Sequence, residues 1–242
     1  MGQFQGKPRE LTAREKDLED FLREQTEDFA RIWLVISDQW YRPKIVRPLH
    51  PATFSKHWLF GKKKNVEFYE VGYTDTTQAY PLKLERALRT WNTCLSSVYV
   101  VYERVEQRLM SLPQVQKVEW IGVVPNPRLM LIWKGTGRNE EIMREHDCLL
   151  ITTFNDSQYV LDVSSWQFGY DDFFFSWANY KSNFIAPGQD IKVRVPADEY
   201  ACVHVQYADE LRSLTFLQHY REWVMQASDT TLKEVGKGVS LL

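Results

Sequence analysis

The segment HDCLLITTFNDSQYVLDV, residues 146–163, opens with a histidine at the start of one apolar run and closes near an aspartate at the end of the next. An imidazole whose tautomer is held by a carboxylate is a proton-transfer pair for nucleophilic catalysis, so His146 and Asp162 are read as general base and orienting acid. The nucleophile that suits them is Cys94, in the first turn of the most regular helical pattern in the chain. A helix start offers unpaired amide groups and the positive end of the helix dipole. Both favour a thiolate, and the same amides can hold an oxyanion.

Two strands, 147–154 and 158–164, must carry the histidine and the aspartate, with Asn155-Asp156-Ser157 as their turn. A tight turn at 155–157 sets Asp162 opposite residues 149–151, so a bulge or a skewed register is expected to bring it to His146. The helix behind Cys94 carries Leu95, Val98, Tyr102, Val105, Leu109 and Leu112 at steps of three and four, and Pro113 ends it. Asn92 and Thr93 offer its N-cap.

Around this centre, Thr12 and Glu15 form a capping box ahead of an amphipathic helix over 13–38. Residues 42–63, with Pro43, Pro48 and Pro51, read as irregular, and 65–73 as a strand. Pro81 opens a helix over 82–90. Strands are expected at 116–124 and 128–134, turned by Pro125-Asn126-Pro127, and again at 190–195 and 199–207. An aromatic segment spans 166–184, and a last helix runs over 209–226 with Asp209 as its cap. Helices come first, then an antiparallel sheet, then a C-terminal helix. That is an α+β class and not alternating β/α units. One domain, 1–242, is expected, with 1–40 an N-terminal helical extension and 228–242 a polar tail.

The stretch 146–163 resembles the corresponding part of transglutaminase-like proteins and arylamine N-acetyltransferases. There a histidine opens an apolar strand, a turn follows, and an aromatic-rich strand ends in aspartate, with the cysteine upstream at a helix N-terminus. The order Cys94, His146, Asp162 matches, and the likeness covers roughly residues 90–170. The approach to the cysteine differs: Thr-Trp-Asn-Thr stands before Cys94, and Leu95-Ser96-Ser97 follows it. The resemblance implies a papain-like core and acyl transfer through a thioester, in a hydrolase, an amidase or a transamidase/acyltransferase. It implies a small-molecule or peptide acyl substrate. Trp91, before the cysteine, and Trp166 and Gln167, after the aspartate, are candidate substrate-binding residues by their position in the chain. The alternatives are a catalytically inactive papain-like scaffold serving binding or assembly, and an unrelated α+β protein whose Cys, His and Asp never meet.

Among 242 residues, 44% are apolar and the net charge is −2, which allows a sizeable core and disfavours a nucleic-acid partner. The one basic run, Lys62-Lys63-Lys64, reads as a solvated loop. No apolar stretch suits a membrane span or a signal core, so a cytoplasmic protein is expected. Three cysteines do not make a disulfide framework. His146 and Cys148 with Cys202 and His204 are a weaker tetrahedral zinc alternative, if both pairs lie on strands. Gly135-Thr136-Gly137 lacks a third glycine and a following helix, and neither a metalloprotease helix motif nor a paired CxxC occurs, so neither a cofactor nor a metal is expected. The N-terminal helix either packs on the core or serves as a homodimer contact.

Overall fold

The computed structural model describes residues 13–39, 44–49, 66–72, 79–134, 145–208 and 210–237. The chain runs α1 (Ala13–Asp38), β1 (Lys44–Leu49), β2 (Glu67–Gly72), α2 (Leu82–Thr90), α3 (Cys94–Met110), β3 (Val115–Val123), β4 (Leu129–Trp133), β5 (His146–Thr153) and β6 (Gln158–Leu161). A 3-10 turn (Ser165–Phe168) follows, then β7 (Phe174–Ser176), α4 (Trp177–Asn183), β8 (Lys192–Val193), α5 (Pro196–Gln206), α6 (Leu211–Gln226) and α7 (Asp229–Gly236). The α+β class holds, but the helices are interspersed among the strands instead of flanking one sheet. Thr12, Asp209, the lysine run, His50, His57 and the Gly135–Gly137 stretch lie outside the described residues.

Two sheets form. One is three-stranded in the order β1-β2-β4, with β2 and β4 parallel; the other is five-stranded and antiparallel, β7-β6-β5-β3-β8. The expected hairpin of 116–124 with 128–134 does not form. Asn126 N–H donates to Phe184 O at 2.8 Å and Arg128 N–H to Phe168 O at 2.8 Å, so the Pro125–Pro127 segment is tied to the aromatic region and carries the chain to the other sheet. The span read as irregular contains β1, whose Pro48 is tolerated because β1 is an edge strand. The expected strand 199–207 is a helix. Pro196 at its first turn and Asp198 and Glu199 in that turn are helix-start features, and they outweigh the alternating β-branched residues. Within the span read as a polar tail, α7 forms, and its Leu232 is buried in the main core.

Every residue of β5 except Thr152 is buried, because both faces of the sheet are covered. Leu149 and Ile151 face the main core, built from Leu22, Phe29 and Trp33 of α1, Val98 and Val105 of α3 and Trp120 of β3. Cys148 and Leu150 face the aromatic layer of Tyr170, Phe175, Tyr180 and Phe184. A strand covered on both sides loses the alternation that a half-exposed strand shows. α1 and α3 are further joined by Arg108, whose guanidinium is 2.7 Å from Asp28, with only 8% and 4% of the two side chains exposed.

Candidate active site

Cys94 is the first residue of α3 and is half-buried. Thr93 stands at the cap position but makes no capping bond. Its hydroxyl donates to Thr90 O at 2.8 Å and accepts from Trp33 Nε1 at 3.3 Å. The helix start is therefore not closed by a side chain, and its positive end remains directed at the cysteine. The thiol lies 4.0 Å from Glu145 O, one residue before β5 begins.

β5 brings His146 to the same place. The ladder pairs Leu149 with Leu161 and Leu150 with Val160, so one further step sets Asp162 across from Cys148. His146 is then its diagonal neighbour on the same face, a separation that side chains bridge. The expected bulge in this pair is not needed. The turn residues are Phe154, Asn155 and Asp156, with Asp156 at φ 62°, and this placement shifts the ladder toward His146. Asp162 itself lies just beyond β6, and its N–H donates to Phe173 O at 2.8 Å.

The imidazole and the carboxylate are both fully buried, with Nε2 of His146 2.7 Å from Oδ2 of Asp162. Oδ1 of Asp162 accepts the Ser164 N–H at 3.2 Å, and Oδ2 also accepts the Tyr180 hydroxyl at 2.8 Å. Phe168 closes one side of the ring edge-on, with centroids 4.8 Å apart. With the Nε2 proton directed at the carboxylate, Nδ1 is the ring atom left to act as a base. Burial alone lowers the imidazole pKa, but the charge and hydrogen bond of Asp162, joined by the Cys94 thiol as a hydrogen-bonding neighbour, outweigh it and raise it to about 10.

Gln167 spans the two halves of the site. Its Oε1 accepts the Asn92 N–H at 3.1 Å, and its Nε2 lies 3.4 Å from His146 Nδ1. Asn92 holds a left-handed φ of 56°, so this bond braces the tight turn before Cys94. Trp91 donates its indole N–H to Leu131 O at 3.1 Å and stacks on Trp133 with centroids 5.5 Å apart. Trp166 is buried in the main core, beneath the Arg86 guanidinium at 5.8 Å.

A second cysteine also lies beside the buried pair. Cys148 is fully buried on the His146 face, and burial, with the Asp162 charge, pushes its thiol well above the ordinary range. The start of β5 is anchored by ions: Glu145 pairs with Lys192 and with Arg194, the latter at 2.6 Å, and Arg194 is 3.3 Å from Asp147. Trp120 Nε1 donates to Asp147 Oδ1 at 3.0 Å.

Cys202 and His204 lie on the helix α5 and not on a strand, which removes the premise of the zinc alternative. Among the described residues no group of three or more His, Cys, Asp or Glu is arranged to hold a metal ion, and no helix is long and apolar enough to cross a membrane. Sequence reasoning does not find Tyr180, Phe168 or Ser164. Nothing in the local spacing links Tyr180 to Asp162, because α4 reaches it only after β7 has paired with β6. Comparison with protein-family models, curated proteins and solved structures finds no match to this chain.

Proposed function

We propose that this chain is a cysteine-dependent acyl-transfer enzyme with a papain-like, transglutaminase-like core, in which Cys94 is the nucleophile, His146 the base and Asp162 the orienting carboxylate. The observation that carries this reading is a fully buried His146 bonded at 2.7 Å to Asp162, with Gln167 and a helix-start thiol as its further neighbours. A buried ion-supporting pair is costly to build, and its placement beside a thiol is what acyl transfer needs. Cys148 is a poorer nucleophile because it is sealed in the aromatic layer and its thiol is held protonated.

With its pKa raised, His146 holds on Nδ1 the proton given up by the Cys94 thiol, and the sulfur attacks an amide, ester or thioester carbonyl. A C–S bond forms, and the oxyanion is held by the amides at the start of α3. The leaving group departs with the proton from Nδ1, which leaves a thioester on Cys94. Water or an amine then attacks with His146 again as base, the C–S bond breaks, and the thiol regains its proton. Gln167 flanks this centre as a substrate-contacting candidate, whereas Trp91 packs on β4 through Leu131 and Trp133 and would contribute only as an outer wall before Cys94. Trp166, in the core, fits that role only through the wall it supports.

The complete enclosure of His146 favours a second reading, an inactive scaffold of the same fold. Iodoacetamide labelling at neutral pH, followed by peptide mass mapping, separates the two. Acyl transfer expects Cys94 to react faster than Cys148 and Cys202, and to carry an acyl adduct after incubation with activated esters. Cys94 reacting no faster than the other two, with no adduct, would leave the scaffold.

A further inference from the structure

We propose that Tyr180 is a positioning residue of this centre: its hydroxyl shares Oδ2 of Asp162 with the His146 ring and so sets how tightly the carboxylate holds the imidazolium. The inference rests on the acyl-transfer reading for its purpose, but not for its geometry. Tyr180 donates to Oδ2 at 2.8 Å, and His146 Nε2 reaches the same oxygen at 2.7 Å. All three side chains are fully buried. The phenol is held in place by Phe175 and Phe184, with ring centroids 5.3 and 5.6 Å away.

One oxygen that accepts two donors divides its electron density between them. When the imidazole gives up its proton, the carboxylate loses a cationic partner, and the phenol still stabilises it. Without that hydroxyl, the bare carboxylate is disfavoured more than the carboxylate–imidazolium pair, and the ring retains its proton more strongly. An acyl-transfer histidine must both take and release a proton in each half-reaction, so excessive retention slows delivery to the leaving group. The titratable groups around the pair are Cys94 from α3, Asp147 and Cys148 from β5, and Tyr170 and Tyr180 from the aromatic layer. Tyr170 supplies the control, since its hydroxyl donates instead to Phe184 O at 3.0 Å.

The test is an NMR titration of His146 in the full chain carrying Cys94→Ala, without substrate, with Tyr180→Phe, Tyr170→Phe and 3-fluorotyrosine at position 180. Tyr180→Phe is expected to move the His146 midpoint up by about half to one pH unit. The fluorinated phenol, a stronger donor, is expected to move it down, and Tyr170→Phe to leave it in place. If Tyr180→Phe does not fold, the fluorinated protein carries the test alone. A midpoint unmoved by the fluorinated phenol, or moved upward, overturns the proposal. The titration needs no acyl donor, so its failure is separable from that of acyl transfer. The expected shift, with no Cys94 acylation in the native chain, would retain Tyr180's role and reject acyl transfer; acylation without a shift would do the reverse.

Discussion

Asp162→Asn is the substitution that most directly tests the buried pair. In the wild type the folded imidazole titrates near about 10, against an ordinary value near 6.5. A folded-state value above the unfolded one contributes stability that is fully present below pH 6.5 and is lost as pH rises through 10. At about 1.36 kcal/mol per pH unit, the loss between about pH 6.5 and 8.5 is on the order of 2–3 kcal/mol. Stopping at about pH 8.5 limits the contribution of Cys148 and the buried tyrosines, whose raised values add a loss of the same sign at higher pH. With asparagine the charge is gone and burial dominates, so the imidazole pKa falls below its ordinary value. The slope above the ordinary value then vanishes, and stability declines instead as pH falls. Urea unfolding midpoints at several pH values for both proteins read this directly. A variant whose midpoints follow the same pH slope as the wild type would refute the ionic account of the His146–Asp162 contact.

Three other substitutions probe the supports of the site. Asp28→Ala leaves the buried Arg108 guanidinium without its buried partner, and a loss of about 3–5 kcal/mol is expected in chemical denaturation; a loss below about 1 kcal/mol would mean that the exposed Asp229 alone suffices. Gly169→Ala forces a side chain onto a left-handed φ of 73° and places its Cβ 2.7 Å from Leu129 Cβ. Strain and overpacking together predict a loss of about 2–4 kcal/mol, read as a lowered unfolding midpoint, and an unchanged midpoint would contradict it. Gln167→Leu removes the acceptor of the Asn92 N–H, with an expected cost of about 1–2 kcal/mol in thermal unfolding. The same variant is expected to alter Cys94 alkylation while leaving that of Cys202 unchanged, and equal changes at both cysteines would argue against a local brace.

The regular apolar steps of α1 and α3 are legible because a helix records its buried face every three or four residues. The β5–β6 hairpin is legible for a similar reason: two apolar runs are separated by turn residues. Those patterns also locate Cys94, His146 and Asp162 on a helix start, a strand start and a strand end. The segment 199–207 reads as a strand because its β-branched residues alternate, while the decisive helix signals, Pro196 and the acids behind it, lie at its edge.

Local sequence thus dictates which residues sit at element ends and which chemistry they carry. Tertiary structure alone decides that β4 leaves β3 for the parallel edge of β2, since strand pairing is a long-range choice that a turn sequence does not specify. It also decides the contacts of the site. Tyr180 meets Asp162 only through the β6–β7 pairing, and Gln167 meets both Asn92 and His146 only because the 3-10 turn folds back against α2 and the turn that precedes α3. Such contacts join residues distant in sequence, and their short-range geometry is set by packing, which leaves no periodic trace in the chain.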